Sequence, residues 1–89
     1  MFATFTDWEF FDMDAMQVTG TSMWPKMQGA GAISFKATAT GAKTARTMVV
    51  WPDAATAQAA IDGLRSAAME MTDTKVVATT AGEVLLDFS

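Results

Sequence analysis

Few side chains in this chain could take part in chemistry, and most of those that could are carboxylates or tryptophans. Four carboxylates follow one another near the start: Asp7, Glu9, Asp12 and Asp14. Such a run could ligate Mg²⁺ or Ca²⁺, and Asp7 and Glu9 could also act as an acid–base pair. The alternative is that Asp12 caps a helix whose first turn contains Asp14. No loop motif would fix metal ligands here, so we favour the capping interpretation and expect neither a metal nor a cofactor.

Three residue types that commonly carry catalysis are missing, because the chain contains no cysteine, histidine or tyrosine. Their absence excludes disulfides and thiol chemistry and removes the commonest general base. The formal net charge is −4, and the six basic residues are scattered, so we expect no nucleic-acid partner. Lys36 and Arg46 on neighbouring strands could bind an anion, but single exposed cations are usually just solvated. The sequence therefore assigns no catalytic residue, and the catalytic residues stay unknown.

Tryptophan and methionine supply the remaining candidates for a site. Trp8, Trp24 and Trp51 each lie near the end of a predicted element, where a cleft would open, and could clamp a flat ligand. Met16 and Met23 lie on the apolar stripe of the first predicted helix, and flexible methionines suit an apolar pocket. The alternative is that these side chains pack the core or a subunit interface. We predict a ligand cleft between the first helix and the sheet, near Trp24 and Trp51.

Two helices are predicted from apolar residues that recur every three or four positions. These residues are Met13, Met16, Gly20, Met23 and Met27 in the first helix and Ala54, Ala57, Ile61, Leu64, Ala68 and Met71 in the second. Asp12 and Asp53 are the predicted N-caps. Pro25 predicts a kink or break near Ser22 to Trp24. Arg65 falls on the predicted solvent side of the second helix, where it could pair with Asp62.

Four strand-like segments precede, separate and follow the helices, and they cover residues 2–8, 32–40, 43–51 and 75–88. Gly41 and Ala42 suit a two-residue type II′ turn between the middle two strands. Gly82 within the last segment predicts a bulge or bend. The element order is therefore strand, helix, strand, strand, helix, strand.

This order predicts an α+β, ferredoxin-like, split β-α-β-β-α-β fold in one domain covering residues 1–89. Right-handed crossovers give a four-stranded antiparallel sheet in the order 4-1-3-2, with both helices on one face. The third and fourth strands are apolar on both sides, and 51% of the residues are hydrophobic. A sheet with a second apolar face requires a second layer. We therefore predict a homodimer whose sheets pack face to face.

The length, the element order and the junction Val49-Val50-Trp51-Pro52-Asp53 resemble the dimeric α/β-barrel superfamily, which includes antibiotic-biosynthesis-type monooxygenases and stress-responsive barrel proteins. The resemblance implies a homodimer with a cleft between helices and sheet. Haem-degrading members depend on Asn, Trp and His, and this chain has neither Asn nor His. No catalytic residue of the family can be carried over onto this sequence.

These observations lead to two main hypotheses for function, with a structural role inside a larger assembly as a third possibility. The first is a non-catalytic homodimer that binds a small apolar molecule or serves as an interaction module. The alternative is a cofactor-independent, monooxygenase-like enzyme that acts on an aromatic substrate and depends on a dry pocket. The chain lacks a basic leader and any run of about 20 apolar residues, so we expect a cytoplasmic protein without a membrane partner.

Overall fold

The computed structural model describes residues 1–88, and its elements follow the predicted order. They are β1 (Phe2–Phe10), α1 (Met13–Gly29), β2 (Ser34–Gly41), β3 (Thr44–Trp51), α2 (Ala54–Met71) and β4 (Thr74–Glu83). All strand pairs are antiparallel, and the sheet order is β2-β3-β1-β4. The predicted ferredoxin-like α+β fold and its strand order are confirmed.

The sheet has one face covered by helices and one face without a covering element among the described residues. In the central strand β1, Thr4, Thr6, Trp8 and Phe10 are buried, and from Phe5 onward they alternate with less buried residues. Their partners on β3 are the buried, odd-numbered residues of that strand, so that Thr4 lies opposite Val49 and Thr6 opposite Thr47. These residues face the helices. The odd-numbered residues of β1 therefore form the other face of the sheet, which we call the open face.

Both predicted helix caps are confirmed. The Asp12 carboxylate accepts hydrogen bonds from the backbone N–H of Asp14 at 2.9 Å and of Ala15 at 3.4 Å. The Asp53 carboxylate accepts one from the N–H of Thr56 at 2.8 Å. Each carboxylate satisfies backbone donors that the first turn leaves unpaired.

The predicted break in the first helix is wrong, because α1 continues through Pro25 to Gly29. Pro25 is exposed, whereas Met23 and Met27 on either side of it are buried. Proline removes the N–H that would bond to the carbonyl of Thr21. Packing of the two methionines against the core compensates for that loss, so tertiary contacts rather than local preference decide the helix length.

The β2–β3 turn lies one residue later than predicted. Gly41 is the last residue of β2 and pairs with Thr44, so Ala42 and Lys43 form the turn. Gly41 does not adopt the positive φ of a type II′ turn. A Cβ at this position would lie 2.7 Å from the Thr44 hydroxyl. Glycine is therefore needed here for the close approach of the two strands.

The irregularity in the last strand also differs from the prediction. Gly82 pairs regularly with Ala3, and the register shift lies opposite Asp7 and Trp8, where Val77 has no partner. The strand ends at Glu83, so residues 84–88 follow it outside the sheet. A bulge adds local twist to an edge strand, and here it leaves the Val77 side chain 59% exposed.

The core lies between the sheet and the helices in two adjoining clusters. One cluster is formed by Met23, Met27, Val49, Trp51 and Ala57, and the other by Trp8, Phe10, Ala45 and Ala68. Both helices contribute to this layer, and small alanines of α2 let that helix lie close to the sheet. Within residues 1–88, no helix has the length and apolar content required to cross a membrane.

Candidate ligand-binding groove

A groove of about 600 Å³ lies between α1 and the β2–β3 hairpin. Its wall on the helix side contains Met16, Gly20 and Trp24, and its wall on the sheet side contains Phe35 and Thr47. The remaining lining residues are Met13, Gln17, Thr21, Ala37, Thr38, Ala39 and Ala45. The groove exists because the side chains of β2 and β3 that face α1 here are mostly small, so the helix does not fill the space above them.

Two aromatic rings and a glycine shape the groove. The Trp24 indole and the Phe35 ring are stacked, with centroids 6.4 Å apart and an interplanar angle of 17°. A Cβ on Gly20 would lie 3.7 and 3.8 Å from two carbon atoms of the Phe35 ring, which is ordinary contact distance. The missing side chain at Gly20 therefore leaves the face of α1 open beside the aromatic pair, and a larger residue there would occupy the groove.

The polar groups of the groove are uncharged. They are the side chains of Gln17, Thr21, Thr38 and Thr47. Hydroxyls and an amide can donate and accept hydrogen bonds. None of the lining side chains in the described part of the chain titrates near neutral pH, so the groove itself offers no general base. Its lining can offer a ligand apolar contact, aromatic stacking and neutral hydrogen bonds.

A small internal cavity of about 40 Å³ continues inward from the groove. Met16, Gly20, Phe35 and Thr47 line both spaces, and Arg65 of α2 lines the inner side of the cavity. This volume is close to that of one water molecule, about 30 Å³ in the liquid. Ligands of the size that the groove accepts therefore stay outside unless the methionine side chains move.

A buried polar network crosses the floor of this cavity. Trp8 Nε1 donates to the Thr47 hydroxyl at 2.9 Å, and that hydroxyl is 3.4 Å from the backbone oxygen of Thr6. Arg65 Nε donates to the Thr6 hydroxyl at 2.9 Å, and its Nη2 donates to the Phe5 carbonyl at 3.4 Å. Buried polar groups must be paired in this way, and the network fixes the orientation of each side chain.

Arg65 is the residue of interest that sequence reasoning missed. It was predicted on the solvent side of α2, but its side chain is only 16% exposed. Burial lowers the pKa of the guanidinium, and the charge of Asp62, 3.9 Å away, partly opposes this. The available signal was its position next to Leu64 at the edge of the apolar stripe. Thr4 and Thr6 were a second signal, because they are polar residues at helix-facing positions of a central strand.

The structure distributes the five predicted cleft residues over three environments. Met16 and Trp24 line the groove, whereas Trp8 and Met23 line the internal cavity and are 5% and 2% exposed. Trp51 is fully buried, and its Nε1 donates to the Thr4 hydroxyl at 3.0 Å. The expectation that Trp51 lies at the cleft mouth is wrong.

Trp51 is buried because it ends β3 on the helix-facing side, where α2 covers it. Ala57 of α2 is also 0% exposed and belongs to the same core cluster as Trp51. A small residue at Ala57 lets the helix backbone approach the indole closely. A position near the end of an element is therefore no indication of exposure when the following helix folds back over it.

Two of the four carboxylates near the N-terminus have a basic partner on the surface. Asp7 Oδ1 accepts from Arg46 Nε at 2.8 Å, and Glu9 lies 3.4 Å from Lys75 Nζ. The hydrogen bond from the Arg46 guanidinium holds the pKa of Asp7 below its ordinary value. The guanidinium of Arg46, a candidate for binding an anion, is therefore already paired with the Asp7 carboxylate. The pairs lie across the open face, away from the groove.

Comparison with known proteins gives matches at the level of structure. No protein family model matches the chain, and no curated protein matches it. A protein of unknown function from Nitrosomonas europaea is similar over 99% of this chain and 92% of its own, with 19% identity and a TM-score of 0.75.

Two further solved structures are similar over the whole of this chain. A dimeric ferredoxin-like protein from an uncultured marine organism is covered over 99% of its length, with 10% identity and a TM-score of 0.65. A candidate antibiotic biosynthesis monooxygenase from Deinococcus radiodurans is covered over 97%, with 11% identity and a TM-score of 0.64. These likenesses confirm the predicted resemblance at the level of the fold: the chain has the ferredoxin-like fold that these proteins share.

Proposed function

We propose that this protein is a homodimer that binds a flat, apolar small molecule in the groove between α1 and the β2–β3 hairpin. The observation that carries the proposal is the groove itself, with Trp24 stacked on Phe35 and no titratable side chain in its lining. Pockets for small molecules are typically several hundred Å³ in volume, mostly apolar, and furnished with a few polar groups. The groove has these properties.

Burial of apolar surface would supply most of the affinity. A ligand that removes about 200 Å² of apolar surface from water gains roughly 5 kcal/mol at about 25 cal/mol per Å². The loss of translational and rotational freedom offsets part of this gain. The threonine hydroxyls and the Gln17 amide would then orient the ligand rather than provide the main driving force.

The open face of the sheet supports the homodimer. Its centre contains Ala3 and Phe5 of β1 opposite Val50 and Met48 of β3, and the pair Asp7–Arg46 lies beside this apolar patch. An apolar centre with a charged rim is the usual anatomy of a protein interface. One of the similar structures is described as dimeric, which agrees with this arrangement.

The segment after β4 adds further apolar surface for a partner. Its side chains Leu85, Leu86 and Phe88 are 89%, 75% and 88% exposed. A series of large apolar side chains exposed to solvent favours association with another protein surface. A second copy of the chain would cover both this segment and the open face.

Native mass spectrometry of the protein as purified tests both parts of the proposal at once. We expect the mass of two chains together with a retained small molecule. Met48→Asp, on the open face, should yield the monomer, whereas Val18→Asp, at an exposed position of α1, should leave the dimer intact. Gly20→Leu should abolish the retained molecule without affecting the dimer. A monomeric native protein at micromolar concentration would contradict the dimer.

The alternative, a cofactor-independent monooxygenase-like enzyme, has support only from the description of one similar structure. A likeness at 11% identity concerns the fold, and function depends on the site. Because the groove supplies no base to remove a proton from a substrate, we place binding first.

A further inference from the structure

We propose that a second cleft, between α2 and the β1–β4 edge of the sheet, binds a small organic carboxylate through Arg65. The cleft has a volume of about 200 Å³ and lies on the other side of the helix layer from the α1 groove. Its lining includes Phe2, Ile61, Arg65, Thr79 and Ala81. This site does not depend on the ligand proposed for the groove.

The guanidinium of Arg65 is held in place by neutral oxygens, and its ion pair with Asp62 is long and faces solvent. Its Nε donates to Thr6 and its Nη2 to the Phe5 carbonyl, so neutral oxygens fix its orientation. Two of its five N–H groups are used in these bonds, and three remain. Within residues 1–88, the carboxylate that approaches it is Asp62 at 3.9 Å, beyond hydrogen-bonding distance, and the Asp62 side chain is 94% exposed.

A cation in this state favours an anionic ligand. Its side chain is 16% exposed, so it is partly removed from water, and the ion pair with the 94% exposed Asp62 is too long for a hydrogen bond. The energetic cost of desolvating a charge is reduced when an anion pairs with it. A carboxylate can accept two parallel N–H bonds from one guanidinium, which matches the donors that remain on Arg65.

The rest of the cleft indicates the size and character of the ligand. The side chains of Phe2, Ile61 and Ala81 are apolar, while Thr79 and Gln58 add neutral hydrogen-bonding groups. A volume of 200 Å³ corresponds to roughly seven water molecules at about 30 Å³ each. The ligand class that fits is a compact monocarboxylate with an apolar body, for which benzoate is a suitable probe.

Isothermal titration with benzoate, and with the uncharged analogue benzyl alcohol, tests this site. We expect benzoate to bind the native protein and benzyl alcohol to bind about tenfold or more weakly, because the charge-assisted pair is absent. Arg65→Gln should lower benzoate affinity by a similar factor. Arg46→Gln, which removes an exposed arginine on the open face, should leave it unchanged.

Backbone amide NMR spectra locate the binding. Benzoate should shift the signals of Ile61, Thr79 and Ala81 and leave those of Gly20 and Thr38 in place. If Arg65→Gln fails to fold, Ala81→Leu decides the question, because it fills the cleft at an exposed position and leaves the cation intact. Equal affinity for benzoate in the native protein and in the variant that folds would overturn the proposal, as would shifts confined to the α1 groove.

Discussion

The Trp24 indole and the Phe35 ring stack with centroids 6.4 Å apart and planes inclined by 17°. Trp24 belongs to α1 and Phe35 to the edge strand β2, so this contact joins the helix to the strand that it otherwise leaves uncovered. Aromatic pairs of this geometry contribute roughly 0.5–1.5 kcal/mol beyond the area they bury. The contact therefore affects both the stability of the edge strand and the shape of the groove.

Replacing Trp24 with Ala should destabilise the protein modestly and remove the stacking surface of the groove. We expect a loss of unfolding free energy above the roughly 0.5–1.5 kcal/mol of the aromatic pair, since some apolar area is lost as well. Trp24→Phe should retain most of the stability. Urea denaturation of both variants measures the difference, and equal stability of the Ala and Phe variants would show that the stack contributes nothing.

Trp51 should behave as a core residue. Because its side chain is fully buried and its Nε1 bonds to Thr4, Trp51→Ala should cost about 3–5 kcal/mol, as is typical of large cavities in a core. Chemical denaturation gives this value. Val18→Ala is the control, since Val18 is 69% exposed on α1, away from the proposed dimer face, and the change should stay within about 0.5 kcal/mol. A small effect of Trp51→Ala would contradict the described packing.

Pro25→Ala should stabilise the protein, because α1 already runs through this position without a break. Alanine restores the N–H that the carbonyl of Thr21 lacks and removes the steric conflict of the ring. The difference in helix propensity sets an upper bound of about 3 kcal/mol. The midpoint of thermal unfolding followed by circular dichroism measures the gain, and a lower midpoint would show that the ring itself makes stabilising contacts.

The Asp7–Arg46 pair should make stability depend on pH in the acid range. The hydrogen bond from Arg46 lowers the pKa of Asp7 in the folded protein below the ordinary value of 3.8. At a pH between the pKa of Asp7 in the folded protein and its pKa in the unfolded chain, the unfolded chain binds more protons than the folded protein. The free energy of unfolding therefore rises with pH in this interval. The contribution is complete above about pH 5 and is lost as the pH falls through the folded pKa.

Asp7→Asn should reduce the change of unfolding free energy with pH between about pH 2 and pH 5, as measured by urea denaturation. Asp53 contributes in the same direction, because the Thr56 N–H bonded to its carboxylate lowers its pKa, so part of the slope should remain. Glu70→Gln, at an exposed position of α2, serves as the control. An unchanged slope in Asp7→Asn would contradict the role of the ion pair.

Periodicity and capping chemistry were sufficient to predict the fold. The spacing of apolar residues and the caps Asp12 and Asp53 place both helices to within two residues, because these signals are local. The strand order follows from general rules of handedness and connection. The turn and the bulge were misplaced, because the demand for glycine at Gly41 arises from contact with Thr44, which only the paired strands reveal.

The site was less accessible to sequence reasoning than the fold. Which of three tryptophans faces a groove depends on how closely each helix approaches the sheet, and the alanines of α2 bring that helix onto Trp51. Arg65 was assigned to the surface by its charge, whereas the structure pairs it with Thr6 on the sheet. Such contacts join residues far apart in sequence and leave little trace in local pattern.

The most direct test of the groove is a fluorescence titration with p-xylene, excited at a wavelength that tryptophan absorbs and the ligand does not. Trp24 lines the groove, whereas Trp8 and Trp51 are buried, so a groove ligand should change the emission through Trp24. We predict a saturable change in the native protein and in Gly63→Leu, whose position faces open space. Gly20→Leu should abolish the change because its side chain fills the groove. A titration of equal amplitude and affinity in Gly20→Leu, or no change in the native protein, would contradict the account.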